Sequence, residues 1–151
     1  MKKIVSLILM SVLILLISPT IVAVDTEKNA IEYFDDGSYL VTTLETFGLS
    51  RATKTIIGKK TATYKDSDDT TLWSATLTGT FSYTGSSATC TASSITYSIV
   101  DDSWKITSAT ASKSQNQALG NVIAKRYTLG IPFKTIEKDI TITCSASGTL
   151  S

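Results

Sequence analysis

Side chains able to do acid–base, nucleophilic or metal chemistry are few in this chain. Histidine is absent, which excludes Ser-His-Asp and Cys-His catalysis and removes the commonest general base. The main remaining candidates are carboxylates, and seven aspartates fall in three short runs, 35–36, 66–69 and 101–102. A glycosidase needs two carboxyl groups across a cleft, and the oxygens of Asp66, Asp68 and Asp69 suit Ca²⁺. Aspartate also favours turns. We therefore interpret the runs as turns and expect no catalytic residue, no metal site and no cofactor.

Two cysteines, Cys90 and Cys144, are the other reactive groups. In an exported protein such a pair favours a disulfide. A bridge would close a loop of about 55 residues and would stabilise the fold by about 4 kcal/mol at most. We expect the disulfide, and two buried free thiols are the alternative.

Aromatic side chains can bind sugar rings when they are exposed. Trp104 follows directly on the turn at 101–103 and is the residue that we expect to be partly exposed. Tyr83, at the end of a strand-like segment, is the second candidate binding residue. The alternative is that these rings belong to the core, where large aromatic side chains are most often found.

The first 23 residues are typical of a secretory signal peptide. Two lysines precede an apolar run that ends at Ile17, and a Ser-Pro pair leads to Ala23. The apolar run has about 14 residues, whereas a membrane-spanning helix needs about 20. We expect cleavage after Ala23, an exported or cell-surface protein and no stable membrane span. A retained N-terminal anchor is the alternative.

The overall charge argues against several partners. Removing the leader takes two of the 14 basic residues and leaves 12 against 13 acidic ones. A nucleic-acid-binding domain would carry a basic face, and strong attraction to anionic lipid would need a basic cluster. We expect no nucleic acid partner.

Serine and threonine make up 45 of the 151 residues and alternate with apolar residues in several segments. Threonine favours strands, and period-two alternation indicates strands with one buried face. In the segment 72–83 the apolar face holds Trp73, Leu77 and Phe81. In the segment 88–100 the alternation changes phase at Ser93-Ser94, which predicts a bulge there and places Ile95, Tyr97 and Ile99 in the core. Strands are expected at 31–34, 39–44, 59–65, 72–83, 88–100, 104–113, 118–129 and 139–150.

These segments predict an all-β protein, an antiparallel β-sandwich of six to eight strands. Residues 24–57 are expected to form an N-terminal hairpin and linker packed on a core domain of residues 58–151. The spacing of Cys90, Trp104 and Cys144 resembles an immunoglobulin domain, in which a tryptophan packs on a disulfide. The tyrosine of the corner motif is missing, since Ile142 stands there. The likeness therefore concerns architecture alone.

Two longer motifs resemble a group of small secreted proteins of Gram-positive bacteria. These are "LWSATLTGTFSYTGSSATCT" and the closing "CSASGTL", and the likeness runs from about Arg51 to Leu150. The group has no assigned activity. The resemblance implies secretion, a β-domain and the two-cysteine pattern, and it supplies no catalytic residue.

These observations favour a non-catalytic, secreted or cell-surface β-domain that binds envelope glycan or an extracellular protein. The alternative is a toxin-like or antimicrobial factor that acts on membranes through the hairpin 72–100. An enzyme ranks third, because it would need two convergent carboxylates in a pocket.

Overall fold

The computed structural model describes residues 22–49 and 54–151. Within these ranges the chain forms eight strands and no helix. The strands are β1 (Val22–Tyr33), β2 (Tyr39–Leu49), β3 (Thr55–Lys65), β4 (Thr71–Tyr83), β5 (Ala88–Ile99), β6 (Trp104–Ser114), β7 (Gln117–Thr128) and β8 (Ile131–Thr143).

The strands form two antiparallel sheets, one with the order β1-β2-β3-β4-β5 and one with the order β6-β7-β8. The predicted antiparallel β-sandwich is confirmed. Within each sheet every strand pairs with its neighbours in the sequence, so each sheet is a meander. The likeness to an immunoglobulin domain therefore does not extend to its Greek-key connections. Of the expected leader, residues 1–21 lie outside the described ranges.

The core lies between the two sheets. On β4 the inward face carries Trp73, Leu77 and Phe81, all fully buried as predicted. The opposite sheet contributes Val122 from β7 and Ile140 from β8. Because hydroxyl and apolar residues alternate along the strands, each sheet has one polar face and one apolar face. The two apolar faces pack against each other.

The inward face of β5 departs from the prediction. Ile95 is half-buried, but Tyr97 and Ile99 are 53% and 39% exposed, so their assignment to the core is wrong. Their register opposite β4 does point them inward. However, β5 is an edge strand and β6 belongs to the other sheet, so this end of β5 is only partly covered. The predicted bulge exists, but it lies at Thr91 rather than at Ser93-Ser94.

The last strand also differs from the prediction. The interval between the expected strands 118–129 and 139–150 is not a loop, because β8 begins at Ile131 and ends at Thr143. Pro132 is tolerated because β8 is an edge strand that pairs only with β7. After Cys144 the chain turns back, and Leu150 pairs with Cys144 and is buried.

The meander places alternate turns at opposite ends of the sandwich. The turns β1–β2, β3–β4, β5–β6 and β7–β8 share one end, which we name the tip end. The turns β4–β5 and β6–β7 and the C-terminal residues 145–151 share the other end, which we name the tail end. β1 and β2 belong to the same sheet as β3, β4 and β5.

Candidate binding surfaces

Trp104 lies in the core rather than on the surface. Its side chain is 2% exposed, so the expectation of an exposed platform at this residue is wrong. The ring centre lies 5.1 Å from that of Tyr64 and 6.4 Å from that of Trp73. Trp104 follows a turn but is not exposed, because it is the first residue of β6 and its side chain points into the core.

A lysine and an aspartate close this aromatic cluster at the tip end. Lys134 lies 5.3 Å and 5.5 Å from the ring centres of Tyr64 and Phe34. It donates to Ser38 Oγ at 3.1 Å and forms an ion pair with Asp36. The hydrogen bond from Lys134 is the main reason why the pKa of Asp36 falls to about 2. This pair connects β8 of one sheet to the β1–β2 turn of the other.

The three aspartate runs form turns at the tip end, as predicted. Asp36 Oδ1, Asp66 Oδ1 and Asp101 Oδ1 each accept a hydrogen bond from the backbone N–H two residues later, at 3.2, 3.0 and 2.8 Å. Such Asx turns are the usual role of aspartate at these positions. The neighbouring Lys65 and Tyr39 lower the pKa of Asp69 through their hydrogen bonds. Throughout residues 22–49 and 54–151 no group of three or more acidic, cysteine or histidine side chains is placed to hold a metal ion.

Tyr83 lies at the tail end, far from Trp104, and the two residues do not form one site. Its half-buried ring packs on Gly148, where an added Cβ would come within 2.7 Å of the ring. Gly148 also has φ +86°, which L-residues rarely adopt. Tyr83 thus helps to hold the C-terminal turn against the sheet.

The two cysteines lie on either side of the β6–β7 turn. The N–H of Cys90 donates to Gln115 O at 2.7 Å, and the N–H of Cys144 donates to Asn116 O at 3.0 Å. Burial raises the pKa of both thiols, and the proximity of Cys90 further raises that of Cys144. Both thiols are free in this structure. The disulfide therefore stays a prediction, and the fold brings its two partners to one turn.

An open groove lies on the outer face of the β6-β7-β8 sheet, with a volume of about 340 Å³. This volume falls in the range of small-ligand sites. Two rows of cross-strand neighbours line it, each row with one residue from each strand. The rows are Thr110, Asn121 and Asp139, and Ser112, Leu119 and Thr141.

The polar groups of this groove are held in a defined arrangement. Asn121 Nδ2 donates to Asp139 Oδ1 at 2.9 Å and to Glu137 Oε1 at 3.0 Å. Both amide hydrogens are therefore occupied, and the amide and carboxylate oxygens that remain are acceptors. The hydroxyl groups of the two rows can donate or accept, and Leu119 supplies apolar surface between them. The groove therefore suits a ligand that is rich in hydroxyl groups and not anionic.

Sequence reasoning did not identify the groove residues. The alternation in β6 and β7 indicated which residues face outward. It did not indicate that Thr110, Asn121 and Asp139 are neighbours, because this depends on the register of three strands.

No protein-family model, no curated protein and no solved structure matches this chain. Among the described residues no helix has the length and hydrophobicity needed to cross a membrane. The resemblance to the two-cysteine secreted proteins therefore stays a prediction.

Proposed function

We propose that this protein is an exported, non-catalytic β-domain that binds a glycan of the cell envelope in the groove of the β6-β7-β8 sheet. The observation that carries the proposal is the row Thr110, Asn121 and Asp139, in which fixed acceptors and a hydroxyl group line an open groove. Sugar hydroxyls both donate and accept, and protein sites for polyhydroxylated ligands need such converging polar groups on a partly apolar surface. The leader-like N-terminus supports export.

A binding role is favoured over catalysis by the state of the reactive groups. The two thiols are buried, and their raised pKa values disfavour the nucleophilic thiolate. Asp139 and Glu137 lie two residues apart on β8 and share the Asn121 amide as donor, so they do not face each other across the groove. The toxin-like alternative assigned membrane contact to the hairpin 72–100. The apolar face of β4 is packed in the core, so membrane insertion of that hairpin would require the sandwich to open.

The proposal is tested by titrating the ¹⁵N-labelled protein with soluble oligosaccharides prepared from bacterial cell walls. We expect amide shifts to change at the groove, and the Asn121→Ala variant to bind at least tenfold more weakly. A tenfold loss of affinity corresponds to about 1.4 kcal/mol, which is the magnitude expected when one hydrogen-bonding partner is lost.

The matched control is Thr96→Ala, which removes an exposed hydroxyl from the other sheet. It should leave binding unchanged. Shifts confined to other surfaces, or equal binding by the Asn121→Ala variant, would contradict the assignment of the groove. Hydrolysis of the oligosaccharide during the titration would contradict the non-catalytic role.

A further inference from the structure

The β7–β8 turn differs from the other three turns of the tip end. Those three contain aspartates that accept backbone hydrogen bonds. The β7–β8 turn consists of Leu129 and Gly130 between the paired residues Thr128 and Ile131. Its side chains are apolar, and Leu129, Ile131 and Phe133 are 97%, 68% and 56% exposed.

Leu129 is unfavourable at this position in two ways. Its φ is +51° and that of Gly130 is +80°, so both central residues are left-handed, as in a type I′ hairpin turn. Asparagine and glycine suit this conformation, whereas a leucine is strained in it. The side chain also gains nothing from burial. A strained and exposed apolar residue does not stabilise the fold, which indicates that Leu129 contacts another molecule.

Basic residues stand directly behind this apolar tip. The segment 125–134, KRYTLGIPFK, contains three basic residues and no acidic one. Lys105 of the adjacent strand lies 5.1 Å from the ring centre of Tyr127, and Arg126 lies 5.3 Å from that of Phe133. The three neighbouring turns of the tip end carry seven aspartates, and Lys134 is paired with Asp36. The tip end as a whole is therefore not basic, and the apolar side chains make the main contribution.

We propose that the β7–β8 tip inserts into the outer layer of a lipid bilayer. Leucine, isoleucine and phenylalanine would enter the acyl region. Tyr127 and the basic side chains would lie among the headgroups, where aromatic and cationic residues are favoured. Membrane docking by this tip leaves the sandwich closed, and it requires none of the changes that insertion of the hairpin 72–100 would need.

A bilayer suits the tip better than a protein partner because the tip is narrow and convex. A Cβ added at Gly130 would meet no other atom within 4 Å, so the turn stands clear of the domain. A specific protein interface buries about 800 Å² on each partner, which a two-residue turn and its flanks do not provide. Insertion into a bilayer needs only the burial of a few side chains. The tip lies about 26 Å along β7 from Asn121, so the groove and the tip can act independently.

Flotation with vesicles tests the proposal directly. The purified protein is mixed with vesicles of phosphatidylcholine containing 30% phosphatidylglycerol, and in parallel with vesicles of phosphatidylcholine alone. We expect binding to both vesicle types, because the apolar side chains drive insertion. Leu129→Asn should reduce the partition coefficient about 10- to 100-fold, because one fully inserted leucine side chain is lost.

Gln115→Asn is the matched control at the tail end, since Gln115 also has positive φ, +51°. It should bind vesicles as the natural protein does. Absence of flotation with both vesicle types would overturn the proposal and would leave the tip to a protein partner. Flotation that is insensitive to Leu129→Asn would overturn it as well.

Discussion

Replacing Leu129 by asparagine should make the folded domain more stable. Leu129 occupies a left-handed conformation with φ +51°, and this conformation costs an ordinary L-residue about 1–2 kcal/mol. Asparagine tolerates it because its short side chain can bond locally to the backbone, and Asn-Gly is the favoured sequence of a type I′ turn. The leucine side chain is 97% exposed, so the substitution removes almost no packing.

The expected gain is therefore about 1 kcal/mol in the free energy of unfolding, which corresponds to a rise in Tm of roughly 3–5 °C for a domain of this size. Urea unfolding can be followed by the fluorescence of the two tryptophans, since Trp73 and Trp104 are both buried. Leu129→Ala is the control, because alanine keeps the conformational strain while it removes the apolar side chain. Its stability should lie within about 0.5 kcal/mol of the natural protein.

Equal stability of the asparagine and alanine variants would refute the strain argument, and a loss of stability in the asparagine variant would do so more strongly. The pair also separates stability from membrane docking. Both variants should bind vesicles weakly, and only the asparagine variant should be more stable. If Leu129 served the fold alone, both variants would be less stable than the natural protein, and both would bind vesicles as the natural protein does.

Three further predictions concern the core, the cysteines and the pH dependence. Trp73→Ala should cost about 3–5 kcal/mol in urea unfolding because it leaves a large cavity, and a fully stable variant would contradict the inward face assigned to β4. After treatment with a small-molecule disulfide, which accepts the two electrons and leaves as two thiols, we expect Cys90 and Cys144 to form a bridge. The denatured protein should then titrate no free thiol, and it should be stabilised by up to about 4 kcal/mol; two titratable thiols would exclude the bridge. The pKa of Asp36 lies below that of an unfolded aspartate, so its ion pair should stabilise the fold above about pH 4 and lose this effect as the pH falls towards 2. More than half of the Asp36 side chain is exposed, so the difference from Asp36→Asn at pH 6 should not exceed about 1 kcal/mol, and unchanged differences at pH 2 and pH 6 would rule out this linkage.

The strands that sequence reasoning predicted best are those with one face buried and one face rich in hydroxyl groups. β4 is the clearest case, since its alternating residues are buried on one side along its whole length. β8 was predicted poorly in its first half. Pro132 and the charged residues around it are typical of a loop, yet an edge strand accepts all of them because only one of its sides is hydrogen-bonded.

The inward face of β5 shows a second limit of local patterns. Tyr97 and Ile99 have the correct parity for the core, and their exposure depends on where the second sheet ends. Trp104 shows the reverse error. The preceding turn suggested that it is exposed, but the opposite sheet covers its ring. The groove depends on tertiary structure still more strongly, because it requires the register of β6, β7 and β8. The strain at Leu129 was not predictable either, because a leucine is not expected at a position with positive φ.

Cosedimentation with purified cell walls of a Gram-positive bacterium tests the central claim most directly. The natural protein, the variant Asn121→Ala/Asp139→Ala and the control Thr96→Ala are compared at equal concentration without lipid. The claim predicts that the natural protein and the control pellet with the walls, while the groove variant stays in the supernatant. Equal pelleting of all three proteins, or pelleting of none, would contradict glycan binding in the groove of the β6-β7-β8 sheet.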